Sequence, residues 1–257
     1  MTACASDTRF QAILFDMPLT QLRLRPRCVL QLCLRVGQHP ALRRACERYP
    51  GLWRLVLRIA YLTDCEGRIR ALCGRELAYH NQQHAADSVL AMAWLLAGST
   101  GIGERLALLS IAAMAGHDLG HQGRSNEALG TCQEALTARR IDTACAREVA
   151  RADRTLLARL VLGTNPSRVG ANHDRYLADP ADPQRHVQVL MNEADIAASL
   201  SPRWGPALTH ALLVERGEAG AGHRVHGLWR AFVTQSRIST PAGRRLLTPL
   251  PRRNPST

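Results

Sequence analysis

The chain has 257 residues, 46% of them hydrophobic, and a net charge of +12. That length and apolar share are enough for a buried core and exclude a chain disordered throughout. No apolar run reaches the roughly 18 to 20 charge-free residues of a membrane span, so a membrane protein is not expected either.

In chain order, residues 1–17 read as an irregular lead-in with no basic region followed by an apolar core, so no signal peptide is expected. From Leu19 to Val36 apolar residues recur at helical spacing, and Gly37-Gln38-His39-Pro40 breaks that helix. Further helices are predicted over Pro40–Arg48, Leu52–Leu62 and Arg68–Leu77, with a turn at Asp64–Gly67 between the last two. Gln82–Leu96 reads as a strong helix, with Ala85, Val89, Met92, Leu95 and Leu96 at the right period, and Glu104–Ala115 is so apolar that it should lie at the centre. Asn126–Arg139 and Cys145–Leu162 follow as helices, then a polar loop over 163–183 rich in Asn, Asp, Pro and Gly. Helices over Gln184–Ser199, Trp204–Arg216, His223–Gln235 and Pro241–Leu247 complete the pattern, and 249–257 is expected to be a disordered tail. No alternating apolar run suggests a sheet. The expectation is one all-α domain, residues 18–248, a compact multi-helix bundle of ten or more helices.

The 33 basic residues are all arginine, scattered singly and in pairs and not interleaved with aromatics. Such charge attracts small anions, and nucleic acid is not an expected partner. The 8 cysteines form no Cys-x-x-Cys, which removes thiolate zinc sites and suits reduced thiols in a cytoplasmic protein.

The chemistry concentrates between Tyr79 and Asn126. His80 and His84 are four apart and share a helix face. Alone, that spacing fits a shared cation, a division of labour between cation and substrate, or two exposed polar residues. His117-Asp118 follows the apolar helix directly, where an unpartnered carboxylate would be costly to bury. Both can reach one cation, and His121, one turn on, returns to the same side to hold a water or orient a ligand. The glycines at 116, 120 and 123 leave room around them. Asp195, on an amphipathic helix, is the best candidate for a fourth ligand.

Tyr79-His80-Asn81-Gln82-Gln83-His84-Ala85-Ala86-Asp87 and the segment His117-Asp118-Leu119-Gly120-His121-Gln122-Gly123-Arg124-Ser125-Asn126 resemble two signatures of class I 3′,5′-cyclic nucleotide phosphodiesterases. Ala194-Asp195-Ile196 resembles a third. The resemblance implies an all-α catalytic domain of the HD metallohydrolase type, acting on a small-molecule cyclic nucleotide, cAMP or cGMP, in signal transduction. It implies two divalent cations, zinc in the tighter position and magnesium or manganese in the second. His84, His117, Asp118 and Asp195 would hold the tighter ion, with Asp118 bridging to the other. A hydroxide between the two cations would attack phosphorus, and His80 would be the general acid. Tyr79, His121, Asn126, Glu148 and Glu215 would support ligands or substrate, Glu215 by holding His80. The alternative is an HD-type phosphohydrolase acting on another nucleotide or phosphoester. Phe232 and Gln235 stand in the reverse order of the family's purine clamp, so that role is not carried over. The oligomeric state is left open.

Overall fold

The computed structural model describes residues 28–145 and 149–247. In chain order the helices are α1 (Val29–Gly37), α2 (Pro40–Arg48), α3 (Pro50–Leu72), α4 (Gln82–Ala97), α5 (Glu104–Gly116), α6 (Asn126–Leu129), α7 (Gln133–Cys145), α8 (Arg151–Leu162), α9 (Pro166–Ala178), α10 (Pro183–Leu200), α11 (Gly205–Glu215), a 3-10 turn (Ala219–Arg224), α12 (Val225–Gln235) and α13 (Pro241–Leu247). The described residues contain no strand, and the protein is all-α. No described helix is long and apolar enough to cross a membrane.

The most apolar segment becomes the centre. Every residue of α5 from Ala107 to Gly116 is buried, as expected of a helix that is hydrophobic all round. It packs against α2, α3, α4, α8 and α10, and α4 packs in turn against α10. Thus α4, α5 and α10 meet one another in the core. On another side Gly116 lets α3 and α7 come close to α5: a Cβ there would lie 2.6 Å from Ile59 of α3 and 3.0 Å from Ile141 of α7.

Four stretches depart from the sequence expectation. The predicted turn at Asp64–Gly67 does not exist, because α3 runs unbroken from Pro50 to Leu72 and no separate helix covers Arg68–Leu77. Asp64 turns inward instead. It accepts the N–H groups of Val29 at 2.8 Å and Leu30 at 3.0 Å, capping α1, together with the Cys28 thiol at 2.9 Å and the Gln82 amide. A buried carboxylate with these donors needs no solvent, so Asp signalled packing here. The polar stretch 163–183 is not a loop: Asn165 caps α9 by accepting the Ser167 N–H, and Pro166 occupies its first turn. The inward residues of α9 are Asn172, His173 and Tyr176, so a polar buried face hid the helical period. The helix expected over Asn126–Arg139 splits where Gly130 takes a left-handed conformation, φ +61°. The helix expected from Cys145 begins at Arg151. Residues 1–17, the N-terminal part of the helix expected from Leu19, Glu148 and the tail 249–257 lie outside the described residues. The seven described cysteines all carry free thiols.

Candidate metal centre

Asn81 begins the site. Its side chain accepts the N–H groups of Gln83 at 2.9 Å and His84 at 3.1 Å, capping α4 and fixing His84 in its first turn. His117 and Asp118 follow the last residue of α5. Asp195 stands in the middle of α10. The packing of these three helices brings four donor atoms to one point. His84 Nε2 lies 3.3 Å from Asp118 Oδ2 and 3.0 Å from Asp195 Oδ1. His117 Nε2 lies 3.2 Å and 3.3 Å from the same two oxygens, and 3.2 Å from His84 Nε2.

These separations match the edges of a coordination polyhedron. Bonds of about 2.0–2.2 Å give donor–donor edges of about 2.9 Å in an octahedron and about 3.4 Å in a tetrahedron. Two observations show that the residues suit a divalent cation. His117 donates Nδ1–H to the Met114 carbonyl at 2.8 Å, which leaves its Nε2 lone pair for the centre. Asp118 Oδ2 is buried with no well-formed hydrogen bond, facing only the two imidazole nitrogens at 3.2 and 3.3 Å, and left without a positive partner it would cost about 1–3 kcal/mol.

The electrostatics agree. Burial pulls the His84 imidazole pKa down, but Asp118 and Asp195 outweigh it and raise it to about 9. His117 is likewise raised well above its ordinary value, against burial, by the same two carboxylates. Burial would raise both carboxylates, yet His117 beside them holds each below the usual range, with His80 adding to the effect on Asp118. Protons thus bind where a cation would.

The loop after α5 is held from two sides. Gly120 adopts φ +85°, its N–H donates to Glu66 of α3 at 3.1 Å, and its carbonyl accepts the Gln133 amide of α7 at 3.1 Å. Thr137 donates to the Leu119 carbonyl at 3.0 Å. Glu66, Gln133 and Thr137 were not singled out from the sequence, since no motif marks a residue that serves a backbone so far away.

A second assembly faces the first. The Glu215 carboxylate, at the end of α11, accepts the backbone N–H of Tyr79 at 2.8 Å and of His80 at 3.0 Å, and its other oxygen contacts His80 Nδ1. Burial would raise the Glu215 pKa, but the bond to His80 dominates and takes it down to about 2. His121 stacks on His80 with ring centroids 3.8 Å apart and planes 22° from parallel. Its Nδ1 accepts the Gly123 N–H at 3.0 Å, and burial, helped by the charge of His80, lowers its pKa to about 4. Tyr79 packs its ring 4.8 Å from both His80 and His84 and meets Ser199 Oγ at 3.0 Å. Although the donor atoms of His80, His121 and Glu215 lie within 4.8 Å of one another, stacked rings send their in-plane lone pairs side by side. They do not converge on one ion, so His80 and Glu215 are a hydrogen-bonded pair with His121 stacked on its imidazole.

Both assemblies open onto a cleft of about 320 Å³, with His80, His117, Asp118 and Asp195 among its lining residues. Asn126 lies on its wall: its side-chain oxygen accepts the Gln133 N–H at 2.7 Å and its amide donates to Glu134 at 3.0 Å. Glu134 also accepts from Asn165 at 3.1 Å and from the Cys132 thiol at 3.2 Å. Glu134 and Asn165 escaped sequence reading, the first because it followed no motif, the second because it stood in the supposed loop. No Phe, Tyr or Trp is among the residues lining the cleft, so Phe232 is absent from it, and so is Gln235. Phe232 packs against the core.

No family model and no curated relative matches the sequence. Two solved structures of yeast caPDE2, one of them in complex with IBMX, are similar: each is 14% identical, covers 94% of this chain and gives a TM-score of 0.47. The alignment takes in 63% of the caPDE2 chain, so this chain spans less than two thirds of the length of those structures.

Proposed function

We propose that the protein hydrolyses a phosphodiester, with a 3′,5′-cyclic nucleotide (cAMP or cGMP) as substrate and the 5′-monophosphate as product. The observation that carries this reading is the convergence of His84, His117, Asp118 and Asp195 at 3.0–3.3 Å beside an acid assembly, His80 and Glu215, on the same cleft. His84, His117, Asp118 and Asp195 would hold the tighter cation, zinc by the resemblance, and Asp118 would share a second, magnesium or manganese. Bound there, such ions lower the pKa of water toward about 7 and neutralise phosphate oxygens.

The chain supplies the rest. Glu215 takes His80 Nδ1–H and leaves Nε2 as the ring nitrogen able to give a proton to the leaving 3′ oxygen. A positioned acid is worth about a hundredfold or more on such a poor leaving group. His121, neutral and stacked on His80, limits the ring to one orientation. Tyr79 closes the far side of both rings.

The test is turnover of cAMP and cGMP by purified protein, with chelator and then with manganese, magnesium or zinc restored. Chelator-sensitive hydrolysis that returns with metal is expected, and none with metal bound would sink the reading. A second reading, a phosphohydrolase acting on another phosphoester, is favoured by the polar cleft, whose lining includes no Phe, Tyr or Trp to stack a base. Preference for a linear nucleotide or a phosphomonoester in the same assay would select it.

A further inference from the structure

The helix α3 carries an apolar stripe that the described residues leave uncovered. Tyr61 is 56% exposed, Ile69 61% and Leu72 88%. Cys65 lies between them, half-buried. The spacings of four, four and three residues put all of them within one face of the helix. Three large exposed apolar groups on one face are a patch, unlike scattered single ones.

The chain itself holds a matching element. Residues 1–27 precede the described structure. Among them Phe10, Ile13, Leu14 and Met17 put four large apolar side chains within eight residues of an otherwise irregular lead-in. The described chain begins beside the stripe, not remote from it: the Cys28 thiol donates to Asp64 at 2.9 Å and the Val29 N–H at 2.8 Å, and Asp64 sits on α3 between Tyr61 and Ile69. From Met17 to Cys28 there are eleven residue steps, a reach of up to about 36–40 Å. The stripe from Tyr61 to Leu72 is about 16 Å long at the helical rise. The tether is therefore ample, and a segment already attached has a local concentration that a free partner must match.

We propose that the apolar sequence cluster of Phe10, Ile13, Leu14 and Met17 docks on the Tyr61–Ile69–Leu72 face of α3 in the same molecule. The inference is independent of the proposed hydrolysis. It is tested in the full chain by the photo-crosslinking variant Ile69→p-benzoylphenylalanine, a replacement at an exposed position. The expected result is a product of monomer mass whose crosslinked peptide contains residues 10–17, and loss of that product when Ile13→Asp is added. A crosslink of dimer mass would overturn the proposal in favour of a second copy. A crosslink to any other segment of the same molecule, or none, would overturn it outright. An Ile13→Asp chain that keeps the product in full would do the same.

Discussion

The two sides of the cleft are built differently. On one side, the four convergent donors sit at the end of α5, in the first turn of α4 and within α10, three helices that pack on one another in the core. On the other, Asn126, Glu134 and Asn165 form a wall of part-buried side chains that hold one another across the break between α6 and α7 and the start of α9. Donor positions on the first side follow from backbone packing and are costly to move. Positions on the second depend on a few hydrogen bonds, each worth about 1 kcal/mol net. The first side is suited to holding an ion, the second to adjusting what lies against it.

That contrast can be broken most sharply at Asp118. Asp118→Asn removes the charge facing both imidazoles, and is expected to lower cation affinity by more than about a hundredfold, beyond what loss of an outer partner costs. Metal content after dialysis and turnover should fall together while helical circular dichroism is kept.

Proton competition comes next. In the metal-free protein the raised His84 pKa, about 9 against 6.5, contributes stability that is fully present below pH 6.5 and is lost as pH rises through about 9. A cation must displace that proton, so apparent affinity should rise about tenfold per pH unit from 6 to 8 for each proton released. Calorimetry in buffers of different ionisation heat counts the protons; a count of zero at pH 7 would contradict the electrostatics of the cluster.

Glu215→Gln tests the acid assembly. It should leave metal content unchanged and reduce kcat about ten- to a hundredfold, with a smaller loss on a substrate whose leaving group needs no proton. An equal loss on both substrates would assign Glu215 a structural role only. The smallest effect is expected at the wall: Glu134→Gln should change KM a few-fold, in line with about 1 kcal/mol, with kcat and metal content held. A collapse of metal binding there would erase the distinction between the two sides.

Legibility in the sequence follows the same division. His84, His117 and Asp118 are readable because a capping Asn81 and a ten-residue buried run place them at helix ends, where local pattern determines position. Asp195 needed the amphipathic period of α10 as well. Glu215 is joined to His80 across 135 residues, and only a family motif points to it. Of the wall only Asn126 is legible, through the family motif; Glu134, Asn165, the supports of Gly120 and the inward face of α9 went unread because polar residues that pack inward are the ones that defeat a hydrophobic period. Asn172 bonds the Gly163 carbonyl and Asn192, each at 2.9 Å, and His173 bonds Ser239 at 2.7 Å, so these side chains satisfy burial through specific partners that no window of sequence contains. Asp64 misled for the same reason, as a helix cap that reads like a turn.

The unsatisfied oxygen of Asp118 has a practical consequence at the bench. In the proposed centre two imidazole nitrogens and two carboxylate oxygens face one another, and sites of this donor type take first-row ions in the order of their intrinsic affinity, with copper and zinc ahead of manganese. A preparation will therefore carry the ion its growth medium and column resin offered. Samples grown in zinc-poor, manganese-supplemented medium and in ordinary broth are then expected to differ in occupancy, which metal analysis of the purified protein reads directly.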